Sequence, residues 1–230
     1  NHAFTGGFIP ISTWIAGSEC RITGPMTSAP ANLGQSFFDF TWDCPTQASS
    51  LSLSGGLTTV GGDFEVVSTG GGASVLGLTA TTALALNVTG NFNLFGGNVT
   101  MVTGTNTNAC SMNVGGVFTN SGSGKFTMVG SGSNGAGTPT LTVSGTTLIS
   151  STATDALVLT ASVGGTAKSA TMNCADFVFN TVGGTASLSQ ATNGGIGTLN
   201  TSGAATITNG TLNLASGSAS AVGVYNANNT

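Results

Sequence analysis

Apolar and polar residues alternate in short runs along most of the chain, the period of a β-strand with one buried side. Residues 86–101, LNVTGNFNLFGGNVTM, show the pattern well. Leu86, Val88, Phe92, Leu94, Val99 and Met101 share one side, and Asn87, Thr89, Asn91, Asn93 and Thr100 the other. By itself the stretch predicts a β-hairpin folded about Gly96-Gly97.

The stretch does not stand by itself, because a five-residue signature recurs. It reads LSLSG at 51–55, LNVTG at 86–90, MNVGG at 112–116 and LTVSG at 141–145, with weaker copies MNCAD at 172–176 and LNTSG at 199–203. The fifth positions lie 35, 26, 29, 31 and 27 residues apart, as expected where corner loops vary. A second short strand follows each copy: FEV at 64–66, VTM at 99–101, FTM at 126–128, LVL at 157–159, ASL at 186–188 and LNL at 212–214. Gly61-Gly62, Gly96-Gly97, Gly183-Gly184 and Asn209-Gly210 provide corners between them.

A repeat of this length built only of strands and turns matches one coil of a β-solenoid. The predicted fold is therefore all-β, a parallel β-solenoid of about six coils over residues 51–230. A right-handed β-helix is expected because parallel crossovers are nearly always right-handed. With coils ~4.8 Å apart, the rod would stand on the order of 30 Å tall. Gly96-Gly97 then becomes a corner, and Val88 should stack near Leu53 and Val114. Antiparallel pairing of Leu94 with Val99 would mean a hairpin instead.

Composition fits such stacking. Charged residues make up 4 % of the chain, against about 25 % in an average soluble domain. In-register coils bring equivalent side chains into contact, so like charges repel while Ser, Thr and Asn form hydrogen-bonded ladders. The net charge of −4 comes from very few ions, and Arg21, Lys125 and Lys168 are scattered, so no basic stripe exists for nucleic acid. No apolar run approaches the ~18 residues of a membrane-spanning helix. A start at Asn1 without a signal peptide leads to the expectation of a processed, mature chain.

Residues 1–50 differ from the rest. They hold four of the five prolines, seven of the fifteen aromatic residues and four of the ten charged ones, which predicts a separate N-terminal cap or assembly region. In SFFDFTWDC, alternation groups Phe38, Phe40, Trp42 and Cys44; in SECRITG it groups Cys20 with Ile22. These would be adjacent strands with Arg21 near Asp39 or Asp43. A Cys20–Cys44 disulfide is expected, pointing to an oxidising compartment, with two buried thiols as the alternative. Cys110 and Cys174 read as packed small side chains. The apolar segment with Phe4, Phe8, Ile9, Ile11, Trp14 and Ile15 either covers the first coil or adds a donor strand to a neighbour. At the other end Val222, Val224 and Tyr225 belong to no recognisable cap, leaving a surface on which the next subunit would dock.

Candidate chemistry is sparse. GSGKFT at 122–127 lacks the phosphate-loop glycine, with Thr119 in its place, and has Phe126 where Ser or Thr follows the lysine. His2 is the only histidine, which leaves nothing for a Ser-His-Asp triad or a His-based metal site. Asp39/Asp43 and Asp63/Glu65 are the nearest acid pairs, and alternation on a solvated strand also produces such pairs. No calcium nonapeptide repeats, and no Thr-x-Thr ladder runs through all coils. Asn87, Asn98, Asn209 and Asn228 fit the glycosylation triplet, as a chain rich in Asn and Thr will by chance.

The phrases LNVTGNFNLFGGNVTM and LTVSGTTLIS resemble the degenerate strand repeats of bacterial surface β-solenoids, such as filamentous haemagglutinin-like adhesins and autotransporter passenger domains. The resemblance spans roughly residues 50–225. It implies an extracellular or cell-surface setting, with no cofactor, metal or catalytic residue expected. The leading expectation is a non-enzymatic structural protein that assembles with copies of itself, head-to-tail, into a filament, sheath or surface layer. An adhesin for glycans or surfaces comes second, and a polysaccharide lyase or hydrolase using Asp39 or Asp63 third.

Overall fold

The computed structural model describes residues 7–131, 138–161, 168–191, 194–216 and 221–227. Among these residues every regular element is a β-strand, and the strands stack in parallel as a β-solenoid of about six turns. Among the described residues no helix is long and apolar enough to cross a membrane.

Each coil visits three faces. The first consists of Ser36–Phe37, Thr59–Val60, Leu84–Val88, Cys110–Val114, Thr140–Val143, Ala170–Cys174, Ile196–Thr201 and Val222–Ala227. On the second lie Glu19–Thr23, Asp39–Asp43, Phe64–Ser68, Phe92–Leu94, Phe118–Asn120 and Thr147–Ile149. The third holds Leu51–Ser52, Val75–Thr79, Asn98–Val102, Lys125–Val129 and Leu157–Thr160. Phe177–Ser189 turns the corner from the second face to the third within one strand, and Ala205–Ala215 follows it in register on both sides of a bulge.

Alternation fixes this register, since a one-residue slip would turn every apolar side chain outward. Leu86, Met112, Leu141, Met172 and Leu199 form one inward column, each fully buried. On the second face Phe40, Phe64, Phe92 and Phe118 stack in successive coils, with ring centroids 5.9, 5.0 and 4.8 Å apart. Phe126 from the third face closes edge-on against Phe92 and Phe118, at 5.7 and 5.1 Å. Such tilted and offset rings are the favoured aromatic geometries.

The opening stretch is one slice of this stack. Leu94 pairs with Val66 and Asn120, and Val99 with Leu76 and Phe126, all in parallel. Gly97 makes the corner between them at φ +79°, where an added Cβ would lie 2.4 Å from Thr69 Oγ1. Val88 stacks on Val114 as expected, but its other neighbour is Val60 rather than Leu53. The first signature copy is therefore misaligned: Leu51 belongs to the third face beside Leu76, and Phe64 to the second beside Phe92. Gly62, not Gly55, precedes Gly90 in the ladder, which removes the outlying 35-residue spacing.

The ladder also runs on through residue 50 toward the N-terminus. Asp39–Asp43 pairs with Phe64–Ser68, and Glu19–Thr23 with Asp39–Asp43. Cys20 and Ile22 face inward as expected, and Arg21 Nη2 donates to Asp43 Oδ2 at 2.6 Å. Phe37 also points inward, because the corner at Phe38 resets the alternation before Asp39. The predicted Cys20–Cys44 disulfide is absent, and both are free, buried thiols. Glu19 stands opposite Asp39, so the coil offset here is 20 residues, whereas the two cysteines are 24 apart. They miss each other by four strand positions, ~13 Å, beyond the reach of a disulfide.

Candidate functional site

Each of the seven acidic residues has a hydrogen-bonding role in the coil stack. Asp39 Oδ1 accepts the backbone N–H of Asp63 at 2.8 Å, and Asp63 Oδ1 accepts that of Asn91 at 2.7 Å and its side-chain amide at 3.2 Å. Asn91 Oδ1 continues the series to the N–H of Val117, and Asp176 Oδ1 accepts the N–H of Ala204. These side chains cap the corner between the first and second faces, where backbone N–H groups would otherwise lack strand partners. Glu19 and Asp43 bind Arg21, Glu65 accepts from Asn93, and Asp155 from Gln190. Asp39 and Asp63, the residues of the lyase or hydrolase expectation, are thus tied into the corner. Among the described residues no group of three or more His, Cys, Asp or Glu could hold a metal ion.

The cysteines face inward and are buried, and burial raises their thiol pKa values. Cys20 and Cys174 are pushed up to about 11 and Cys44 to about 12, far from the thiolate range of reactive cysteines. Cys110 is also raised by burial. Lys168 is the anomaly of the core. It is 1 % exposed, its Nζ has no hydrogen-bond partner among the described residues, and burial lowers its pKa below the usual lysine range, opposed by Cys110. Nothing in its sequence context marks it as buried.

The two ends of the rod differ. At the N-terminal end Ile9, Met26 and Leu33 are buried in the common core, and Trp14 packs on Phe37 with ring centroids 5.2 Å apart. Gln35 ties this segment down, accepting from Ser12 N–H and Trp14 Nε1 and donating to the Pro10 carbonyl. Ile9 and Trp14 therefore cover their own first coil. Phe8, Ile11 and Ile15 on the same segment project outward, 66, 84 and 69 % exposed. Phe4 and His2 lie outside the described residues.

No such cover exists at the C-terminal end among the described residues. Ile207 continues the column of Phe179, and Tyr225 that of Leu199, yet they are 52 and 38 % exposed where those predecessors are fully buried. Leu214, which follows the buried Leu188, is exposed as well, whereas Val222 and Val224 continue the outward positions of Ile196 and Thr198 and belong to the outer surface of the first face. Ala205–Ala215 and Val222–Ala227 are edge strands with neither charge nor proline, the devices that normally discourage further pairing. The asparagine ladder of the first face, Asn173 to Asn200 to Asn226 at 2.8 Å per step, stops at this edge. Of the predicted Val222, Val224 and Tyr225, only Tyr225 continues an inward column, and sequence reasoning missed Ile207 and Leu214, whose stacking on buried residues of the previous coil was the available signal.

A shallow polar groove of about 620 Å³ also crosses the outside of the third face. Comparison with known proteins finds no matching family model, no matching curated protein and no matching solved structure.

Proposed function

We propose that this chain is a structural subunit that joins copies of itself head-to-tail, forming an extracellular filament, sheath or surface layer. The carrying observation is the C-terminal end, with its exposed inward columns and uncharged strand edges. Burying that end against a partner removes apolar area from water at roughly 25 cal/mol per Å² and provides partners for strand edges. The complementary surface is the outer side of the next subunit's N-terminal segment, through Phe8, Ile11 and Ile15. The near absence of charge suits a stacked, exported material, and the resemblance to bacterial surface β-solenoids agrees with that setting.

Electron microscopy and sedimentation of the whole chain test the reading. The wild type should form rods of many subunits as concentration rises, whereas Ile207→Asp and Ile11→Asp should each remain monomeric with the β-sheet circular dichroism retained. A wild type that stays monomeric at high concentration would overturn it. A second reading, an adhesin for glycans, is favoured by the polar groove of the third face and is compatible with the first.

A further inference from the structure

The groove on the third face runs across successive coils, from that of Val75 to that of Gln190. Asn98 and Thr100 come from one, Lys125 and Thr127 from the next, and Asp155 from the third, with Gln190 beside it. Apart from Val75 and Val158, the outward side chains here are small or polar, which leaves the sheet surface open as a trough. Neighbouring coils set its functional groups ~4.8 Å apart.

Its electrostatics are unusual for this protein. Of the three Lys and Arg residues, Arg21 is paired with Glu19 and Asp43, and Lys168 is buried in the core. Lys125 alone remains on the surface, with no ion-pair partner among the described residues. Asn98 uses its side-chain amide to donate to the carbonyls of Gly72 and Ser74, so its Oδ1 is the group left for a ligand. Asp155 Oδ1 accepts from Gln190 Nε2, leaving Oδ2 open. The trough thus presents one ammonium group, two acceptor oxygens and the hydroxyl of Thr127, with Thr100 buried in its floor.

This chemistry narrows the occupant. An extended peptide binds along a strand edge or by seating side chains in apolar pockets, and the face of a sheet provides no free backbone edge. Nucleic acid needs several cations along its phosphates, and the trough has one. A neutral glycan would satisfy the hydroxyls and acceptors but leave the ammonium group unused. We propose that the groove binds an extended polysaccharide carrying sugar carboxylates. Lys125 holds a carboxylate, while Asn98 Oδ1, Asp155 Oδ2 and the hydroxyl of Thr127 bind ring hydroxyls. Asp155 repels a second acid group at its own position, so the site distinguishes a sugar acid flanked by hydroxyls from a uniformly charged polyanion. With no aromatic platform in the groove the single-site affinity is weak, and display on many subunits would strengthen attachment by avidity.

Titration calorimetry on the monomeric Ile207→Asp chain keeps this test separate from assembly. The probes are oligogalacturonate, neutral oligogalactan and dextran sulfate. Oligogalacturonate should bind saturably and more weakly as salt is raised, the other two at least about tenfold more weakly. Lys125→Gln should lose about tenfold toward oligogalacturonate and leave the weak galactan binding unchanged, while Thr127→Val should weaken both sugars. Absence of oligogalacturonate binding, equal binding of dextran sulfate, or an unaltered Lys125→Gln variant would each overturn the proposal.

Discussion

Replacing Asp63 distinguishes a corner cap from a catalytic acid. Its carboxylate accepts from two donors of Asn91, the backbone N–H at 2.7 Å and the side-chain amide, which lies 3.2 Å from Oδ1 and 3.4 Å from Oδ2. Alanine removes both interactions and leaves the Asn91 N–H at a partly buried corner with no protein acceptor. Hydrogen bonds to charged groups contribute about 1.5–3 kcal/mol, and an orphaned buried donor costs about 1–3 kcal/mol, so Asp63→Ala should destabilise by about 2–4 kcal/mol. At ~2–4 °C per kcal/mol for a chain of this size, the melting temperature should fall by roughly 4–16 °C. Asparagine keeps an acceptor oxygen in place, so Asp63→Asn should lose less than about 1 kcal/mol. Thermal melts by circular dichroism give the ranking, and hydrogen exchange should show the Asn91 amide opening faster in the alanine variant. An Asp63→Ala chain that melts with the wild type would refute the capping role. If that variant also lost a polysaccharide-cleaving activity present in the wild type, catalysis would replace it.

Lys168→Met should stabilise the protein at neutral pH by about 1–3 kcal/mol, because it removes a buried polar group with no partner while keeping the side chain's length. The folded-state pKa of Lys168 is lowered, so between that value and 10.5 the unfolded chain binds more protons and wild-type stability should rise with pH. A difference in melting temperature between variant and wild type that does not shrink as the pH is raised to 10.5 would count against this account. Phe92→Ala, in the centre of the ring stack, should cost about 3–5 kcal/mol. Ile207→Ala in the half-exposed last coil should cost less than about 1 kcal/mol in the monomer, and equal losses in melts would contradict an open C-terminal end.

Much of the solenoid could be read from residues 86–214, because inward columns must be apolar in every coil and outward ones need only be uncharged. Leu86, Met112 and Leu141 announce their column in the sequence. The second-face column of Phe64, Phe92, Phe118 and Phe177 was equally present but less visible, since Thr147 interrupts it. The first coil misled because LSLSG copies the signature while serving a different face. Proximity in sequence was a poor guide to proximity in space at Cys20 and Cys44, where the relevant distance is the coil offset rather than the interval between the cysteines. The roles of Asp39, Asp63 and Asp176 were hidden for the same reason. Whether a carboxylate meets a backbone N–H one coil away depends on a register that short, variable corners do not reveal.

Stacking disfavours like charges, yet Glu19 stands opposite Asp39, and Asp63 follows one coil later. The resolution lies in what each carboxylate faces. Asp39 and Asp63 turn along the rod axis onto backbone N–H groups, and Glu19 turns to Arg21, so none depends on its acidic neighbour for a partner. Asn91 performs the same capping without charge, which shows that the position requires an acceptor oxygen rather than an anion. Charge then thins along the rod, and no Asp, Glu, Lys or Arg follows Asp176. The edge strand Glu19–Thr23 carries Glu19 and Arg21 beneath a proline-containing cover, whereas the last coil has neither charge nor proline. Charge and proline both discourage strand addition, so among the described residues the last coil lacks the guards that the first one carries. Under the proposed head-to-tail assembly, an aspartate placed in the edge of that last coil should block growth from it, whereas the N-terminal strand already carries its own charged guard.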